Sequence, residues 1–157
     1  MKEILKLAIA IAVCQIAGVV GSIFTVSATP TWYAQLAKPF LTPSGWVFGP
    51  VWFTLYTFMG IALYLVWRKR TKEQCHCAAL RLFFFQLALN ALWSYLFFGL
   101  REPLLALFGI AILFLVILAT IWQFWGISRG AAYLLLPYAG WVAFAAYLNY
   151  SIWQLNS

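Results

Sequence analysis

The chain has 157 residues, of which 66% are hydrophobic, 20% are aromatic and only 8% are charged, with a formal net charge of +7. Roughly a quarter of the residues of an ordinary soluble domain are charged. This composition cannot supply the water-facing surface of a globular domain. It therefore excludes a soluble globular domain and indicates a chain whose main solvent is lipid.

Five apolar segments account for most of the chain. A helix needs about 20 such residues to cross the hydrocarbon core of a bilayer, and continuous runs argue against the alternating pattern of a membrane barrel. The first run exceeds the 7 to 15 residues, roughly, of a signal-peptide core, so we expect it to remain as a helix. We predict an all-α integral membrane protein, a single five-helix bundle over residues 1–157, with spans at Ile4 to Val26, Trp46 to Trp67, Ala79 to Leu100, Leu104 to Gly126 and Ala131 to Leu155.

The basic residues indicate an orientation, because cytoplasmic connections carry an excess of Lys and Arg. Five spans leave only Lys38 and Arg101 on the side of the carboxyl terminus. We therefore expect a cytoplasmic amino terminus, an external carboxyl terminus and placement in a prokaryotic cell membrane. No nucleic-acid partner is expected, since the basic residues gather at one membrane face. That face carries Lys2, Lys6, Arg68, Lys69, Arg70, Lys72, Arg81 and Arg129.

The sequence offers little for acid–base or metal chemistry. It has one His and three acidic residues, Glu3, Glu73 and Glu102, all near the predicted span ends. The triplet from Cys75 to Cys77 lacks the spacing of zinc sites. We therefore expect no metal site, no required cofactor and no catalytic residues of the usual kind, and the absence of ionisable groups deep in the spans disfavours ion transport.

Aromatic residues dominate what remains for function. Trp52, Trp93 and Trp141 lie well inside their spans, where a lipid-facing indole N–H would lack a partner. Two interpretations are open: the stripes pack together, with Gln86 and Asn90 bonding between helices, or they enclose a cavity for a flat apolar ligand. Helical spacing places three sets of residues each on one face of its span. They are Trp52, Tyr56 and Met59 on the second span; Gln86, Asn90, Trp93, Ser94 and Phe97 on the third; and Tyr138, Trp141, Ala145, Leu148 and Asn149 on the fifth.

The connection from Ser27 to Gly45 is too aromatic to lie in water. Pro30 suits the first turn of a short helix, which would place Trp32, Tyr33 and Leu36 on one face. We expect this loop to fold over one end of the bundle as a lid.

Several separated motifs, which together extend over essentially the whole chain, resemble the TspO/MBR family of tryptophan-rich sensory proteins and translocator proteins. They are Trp32-Tyr33-x-x-Leu36-x-Lys38-Pro39; Pro43, Phe48, Trp52 and Leu55-Tyr56; Gln86-x-x-x-Asn90-x-x-Trp93-Ser94 and Phe97-Phe98; and Pro137-Tyr138-x-x-Trp141, Ala145 and Leu148-Asn149. The resemblance implies a homodimeric five-helix bundle that binds porphyrins such as protoporphyrin IX, and benzodiazepine-site ligands, and acts in tetrapyrrole sensing, transport or stress regulation.

The resemblance also implies a set of ligand-binding residues. Trp32 and Tyr33 would line the lid side, Trp52 and Asn90 would hydrogen-bond the ligand, and Tyr56 shares the stripe of Trp52. The pocket wall would be formed by Trp93, Ser94, Trp141 and Ala145.

Two further functions stay open beside ligand binding. A light-dependent porphyrin-degrading activity would use Trp52 and Trp141, and a structural membrane scaffold would have no ligand. This sequence also departs from the family at Leu41, where a Trp is common, and at Ser44, where a second Pro is common. Its sterol-recognition pattern is incomplete, so cholesterol transport is not predicted. Small residues that could serve a dimer contact are Ala88, Ala91, Gly109 and Ala111.

Overall fold

A computed structural model describes residues 2–69 and 76–157. Over these residues the chain forms helices and connections, without strands. The helices are α1 (Lys2–Ala28), the single-turn α2 (Trp32–Gln35), α3 (Gly45–Trp67), α4 (Cys77–Ser94), α5 (Pro103–Ile127) and α6 (Arg129–Leu155). Helix α4 continues directly into a π-helical turn, Tyr95–Gly99.

Five of these helices are long and apolar enough to cross a membrane. With the π-helical turn counted in the third span, their ends agree with the five predicted spans to within two residues, which confirms the predicted fold class. The agreement follows from the solvent, because a segment in hydrocarbon must satisfy all its backbone hydrogen bonds within its own helix. Residues 70–75, which belong to the connection between the second and third predicted spans, lie outside the described residues.

The five long helices form a closed ring. Going around the ring from each helix to the neighbour that it contacts, the order is α1, α3, α6, α5, α4 and back to α1. Its centre holds fully buried side chains that include Met59, Phe83, Leu113, Phe124 and Tyr138. Each helix therefore presents one face to this core and the opposite face to lipid.

Polar contacts show which connections share an end of the bundle. The Tyr64 hydroxyl donates to Glu3 Oε2 at 3.2 Å, and Lys69 Nζ donates to the Ile127 carbonyl at 2.7 Å. At the other end, Asn156 near the carboxyl terminus bonds to the backbone of Ala37. The amino terminus and the second and fourth connections thus share one end, which is the partition used to count the basic residues.

Helices α1 and α3 approach most closely at Gly60. A Cβ atom built on Gly60 would lie 2.5 Å from the Cα atom of Ile11, far inside van der Waals contact. Small residues permit such close backbone approach in membranes, where lipid supplies no hydrophobic force between helices. Gly60 therefore fixes the separation of α1 and α3 at this level.

The π-helical turn departs from the uninterrupted helix that the sequence predicts. The Leu100 amide donates to the Tyr95 carbonyl at 2.8 Å, five residues earlier. The widened turn presents two consecutive rings, Phe97 and Phe98, to the same neighbour, and their centroids lie 6.2 and 5.7 Å from that of Tyr33. Such turns often occur where a helix forms part of a functional site.

The small residues proposed for a dimer contact divide into two groups. Ala88 and Ala111 are exposed on the outer surface of the bundle. Gly109 packs instead against the Leu96 side chain, and Ala91 lies beside Gly21 of α1. Only the first pair remains available to a second copy of the chain.

Replacing Gly60 by Ala is expected to destabilise the bundle, because the added methyl group must push α1 away from α3. Overpacking of this kind costs about 1–3 kcal/mol. The matched control is Gly140→Ala on α6, where a Cβ meets no atom within 4 Å; there we expect no loss, or a gain of about 0.4–1 kcal/mol. Thermal unfolding in detergent measures both, and equal shifts would contradict the close approach at Gly60.

Candidate functional site

A cavity of about 890 Å³ lies between α1, α3, α4, α6 and the first loop, residues 29–44. Its size falls within the range of roughly 300–1,000 Å³ that is typical of small-molecule sites. Most of its lining is apolar, and Lys38 is the one charged residue among the described residues that line it. Its aromatic lining consists of Tyr33, Phe48, Trp52, Phe53, Tyr56, Trp93, Phe98 and Trp141.

The structure brings together most of the side chains predicted to bind ligand. Trp32 is the exception, because its ring turns away and packs edge-on against Phe97 at 5.6 Å. It belongs to a small apolar cluster around Phe97, Ala106 and Ile152. Whether any of these residues contacts a ligand stays a prediction. The cavity is lined by Tyr33, Trp52, Tyr56, Asn90, Trp93, Ser94, Trp141 and Ala145.

A buried polar network holds the inner wall of the cavity. The Tyr56 hydroxyl donates to Asn90 Oδ1 at 2.6 Å, and Asn90 Nδ2 donates to the Tyr138 hydroxyl at 3.0 Å. The three side chains are 5%, 2% and 0% exposed, so water cannot replace either bond. Asn90 therefore joins α3, α4 and α6, and one of its two Nδ2 hydrogens remains without a partner among the described residues.

Gln86 does not make the hydrogen bond between helices that the packing interpretation predicts for it. Its side chain is 1% exposed, yet neither Nε2 nor Oε1 has a hydrogen-bond partner among the described residues. Asn90, one turn further along α4, makes the interhelical bonds instead.

Trp93 is anchored by its indole edge. Its Nε1 donates to Asn149 Oδ1 at 3.0 Å, and Asn149 Nδ2 in turn donates to the Pro103 carbonyl at 2.7 Å. The indole also stacks on Phe97 at 5.6 Å. Trp93 thus links α4 to α6 and can offer a ligand its ring but not its N–H group.

Trp52 and Trp141 differ from Trp93, because neither indole N–H donates to a residue that the structure describes. Trp52 is held by stacking on Tyr56 at 5.5 Å and by an edge contact with Tyr138 at 6.3 Å. Trp141 lies edge-on to Phe48 at 5.9 Å. Both residues line the cavity and are only half-buried, so the hydrogen-bonding capacity of the two indoles is not used by any described residue.

The first loop forms the end wall of the cavity. Lys38 Nζ lies 4.8 Å from the centre of the Tyr33 ring, a cation–π contact. The Asn156 amide closes the loop by accepting from the Ala37 N–H at 3.0 Å and donating to its carbonyl at 3.0 Å. Burial raises the pKa of the Tyr33 phenol, so this hydroxyl stays protonated at neutral pH.

Helix α1 contributes a wall that sequence reasoning missed. Gln15, Gly18, Ser22 and Thr25 all line the cavity from this helix. A Cβ atom on Gly18 would overlap the ring of Tyr56, so Gly at this position lets α1 lie against the aromatic wall. In the sequence, the small residues Gly18, Gly21 and Ser22 indicate close helix packing. They carry no aromatic ring that would indicate a cavity.

Metal-binding groups do not cluster in the described part of the chain. Within residues 2–69 and 76–157 no three His, Cys, Asp or Glu side chains come together. Cys75, the first residue of the triplet considered for zinc, lies outside the described residues.

Tyr138→Phe is expected to lower stability, because it removes the acceptor of Asn90 Nδ2 and leaves a buried amide hydrogen unpaired. Such a loss costs about 1–3 kcal/mol. Tyr147→Phe on the same helix is the control, since Tyr147 is 45% exposed and its hydroxyl has no partner among the described residues. Thermal unfolding of both variants in detergent checks this, and equal melting points would show that the network does not stabilise the bundle.

The sequence was compared with protein families and with known proteins. The profile of the TspO/MBR family matches residues 10–154. Over 99% of both chains, the sequence is 45% identical to the tryptophan-rich protein TspO of Archaeoglobus fulgidus. It is 42% identical to the protein of that name from Chlorobaculum tepidum, over 99% of this chain and 98% of the relative. The human translocator protein is 41% identical, over 87% of this chain and 82% of its own. The chain belongs to the TspO/MBR family.

Proposed function

We propose that the protein binds porphyrins of the protoporphyrin IX type, and benzodiazepine-site ligands, in the cavity, and that it acts in tetrapyrrole sensing, transport or stress regulation. The observation that supports this most is the cavity itself, about 890 Å³ in volume, whose lining includes Trp52 and Trp141. Neither indole donates its N–H to a residue that the structure describes. Relatives named translocator protein and tryptophan-rich sensory protein are consistent with such activities.

The chemistry of a porphyrin suits each part of this wall. Its macrocycle is flat and apolar, and each contact with an aromatic ring contributes about 0.5–1.5 kcal/mol beyond the burial of area. The indole N–H groups of Trp52 and Trp141 can donate to polar atoms of the ligand. Lys38, at the end wall, can pair with the carboxylates of the porphyrin side chains.

We also propose the orientation and assembly of the protein. The described basic residues at the end of the bundle that holds the amino terminus are Lys2, Lys6, Arg68, Lys69, Arg81 and Arg129, against Lys38 and Arg101 at the other end. This asymmetry supports a cytoplasmic amino terminus, which would place the cavity end outside. The exposed Ala88 and Ala111 are candidates for the contact of a homodimer.

Trp52→Phe and Trp141→Phe are each expected to weaken protoporphyrin IX binding, because Phe keeps the apolar volume but lacks the N–H donor. Loss of a hydrogen bond of about 1 kcal/mol and of part of the stacking surface should raise the Kd about five- to thirtyfold. A titration in the dark, followed by porphyrin absorbance, measures this. Thermal midpoints should change little.

Trp122→Phe is the matched control, since Trp122 is 81% exposed on the lipid-facing surface of α5 and lies outside this cavity. Equal losses of affinity in the control and the two cavity variants would contradict the assignment. Lower melting points with unchanged Kd would show that the two indoles serve only packing. Loss of the porphyrin spectrum under light alone would favour the degradative alternative.

A membrane-impermeant thiol reagent is expected to label a Cys added after Ser157 in intact cells. A Cys replacing Arg129, which is exposed at the opposite end, should react only after the membrane is permeabilised. Both variants are made with Ser at positions 75 and 77, so that the introduced thiols are compared on the same background. Labelling in the reverse order would contradict a cytoplasmic amino terminus.

A further inference from the structure

Three residues at the seam between α1 and α3 both line the cavity and face outward. Val19 and Val26 on α1 and Phe53 on α3 all contribute to the cavity wall. Their side chains are nevertheless 61%, 71% and 66% exposed. A side chain can meet both conditions only at the edge of an opening, so the cavity reaches the outer surface of the bundle along this seam.

The opening lies at the depth of lipid. Gln15 marks its inner limit, and Val26 lies eleven residues further along α1, which corresponds to a rise of about 16 Å along a helix at 1.5 Å per residue. This stretch belongs to the helix α1, which is long and apolar enough to span the membrane. The seam is therefore bordered by hydrocarbon of the leaflet nearer the first loop, rather than by water.

The polar groups beside the seam are satisfied within the protein. The Ser22 hydroxyl donates to the Val19 carbonyl at 2.7 Å, and the Thr25 hydroxyl donates to the Gly21 carbonyl at 3.3 Å. Neither hydroxyl thus projects an unpaired donor into the opening, which would be costly beside lipid. An apolar molecule crossing the seam meets a rim of methyl, methylene and aromatic groups.

Gln15 limits the opening at its inner end. Its Nε2 donates to the Phe53 carbonyl at 3.1 Å and to Thr57 Oγ1 at 3.0 Å, which ties α1 to α3. Further from the first loop the two helices converge, with Gly60 against Ile11. The gap between them is therefore confined to the half of the bundle that contains the cavity.

The end of the cavity toward the first loop is held by contacts within the protein, although Pro30 and Ala34, which line the cavity there, are exposed as well. Asn156 makes two hydrogen bonds to the backbone of Ala37. Tyr33 packs on Phe98 at 5.7 Å, and Trp32 packs on Phe97 at 5.6 Å. Passage through the first loop would require these contacts to break, whereas the residues at the seam are exposed and make none of these contacts.

We propose that ligands enter and leave the cavity sideways, from the leaflet nearer the first loop, through the seam between Val19 and Phe53. The inference rests on the proposed function, and it assigns the site to flat apolar molecules dissolved in the membrane. The seam is then the element that sets the rates of binding and release, while the rest of the cavity wall sets affinity.

The test measures protoporphyrin IX association and dissociation rates by stopped flow with the full chain in lipid nanodiscs. Val19→Phe narrows the seam and is expected to slow both rates about tenfold, which corresponds to a barrier raised by about 1.4 kcal/mol. Phe53→Ala widens the seam and should speed both rates, so the two variants shift kinetics in opposite directions. The control is Val20→Phe, since Val20 is 44% exposed to lipid and does not line the cavity.

Asn156→Ala separates the two routes, because it removes the hydrogen bonds that close the first loop. Entry through the seam predicts rates that respond to Val19→Phe and Phe53→Ala and not to Asn156→Ala. The opposite pattern, or equal slowing by Val19→Phe and Val20→Phe, would overturn the sideways route while leaving the binding function intact. Absence of saturable binding in the unaltered protein would instead overturn the proposed function and, with it, this inference.

Discussion

The Asn90 amide, held between the hydroxyls of Tyr56 and Tyr138, is the interaction on which the rest of the site depends. Three helices meet there, at a depth where neither lipid nor water can supply replacement hydrogen bonds. The network fixes the rings of both tyrosines, and Trp52 then packs against both rings. A buried bond that stabilises the bundle thereby also orients the indole that faces the cavity.

The two interpretations of the aromatic stripes, packing and cavity, both describe part of the structure. Trp93 is bonded edge-on to Asn149 and serves mainly to join α4 to α6. Trp52 and Trp141 are placed by ring contacts, and neither donates its N–H to a residue that the structure describes. The difference follows from polar partners, because the stripe of α6 offers the Asn149 amide to Trp93.

Sequence reasoning predicted the spans well because the lipid solvent imposes one simple rule, that a spanning segment be helical and apolar. Helical period then placed Trp52, Asn90 and Trp141 on inner faces. Trp32, predicted to line the lid side, packs against Phe97 and is not among the residues that line the cavity, and its role toward a ligand stays a prediction. The π-helical turn and the wall formed by α1 depend on how backbones approach, which side-chain periodicity does not encode.

Indole ¹⁵N–¹H spectra test directly whether Trp52 and Trp141 contact a ligand in the cavity. Protein labelled at the tryptophan Nε1 atoms would be titrated with protoporphyrin IX in the dark, with resonances assigned by single replacements. We expect saturable shifts of the Trp52 and Trp141 resonances, while those of Trp122 and Trp125, which are exposed on the outer face of α5, stay in place. Equal shifts of all four resonances, or shifts confined to the outer pair, would contradict ligand binding in this cavity.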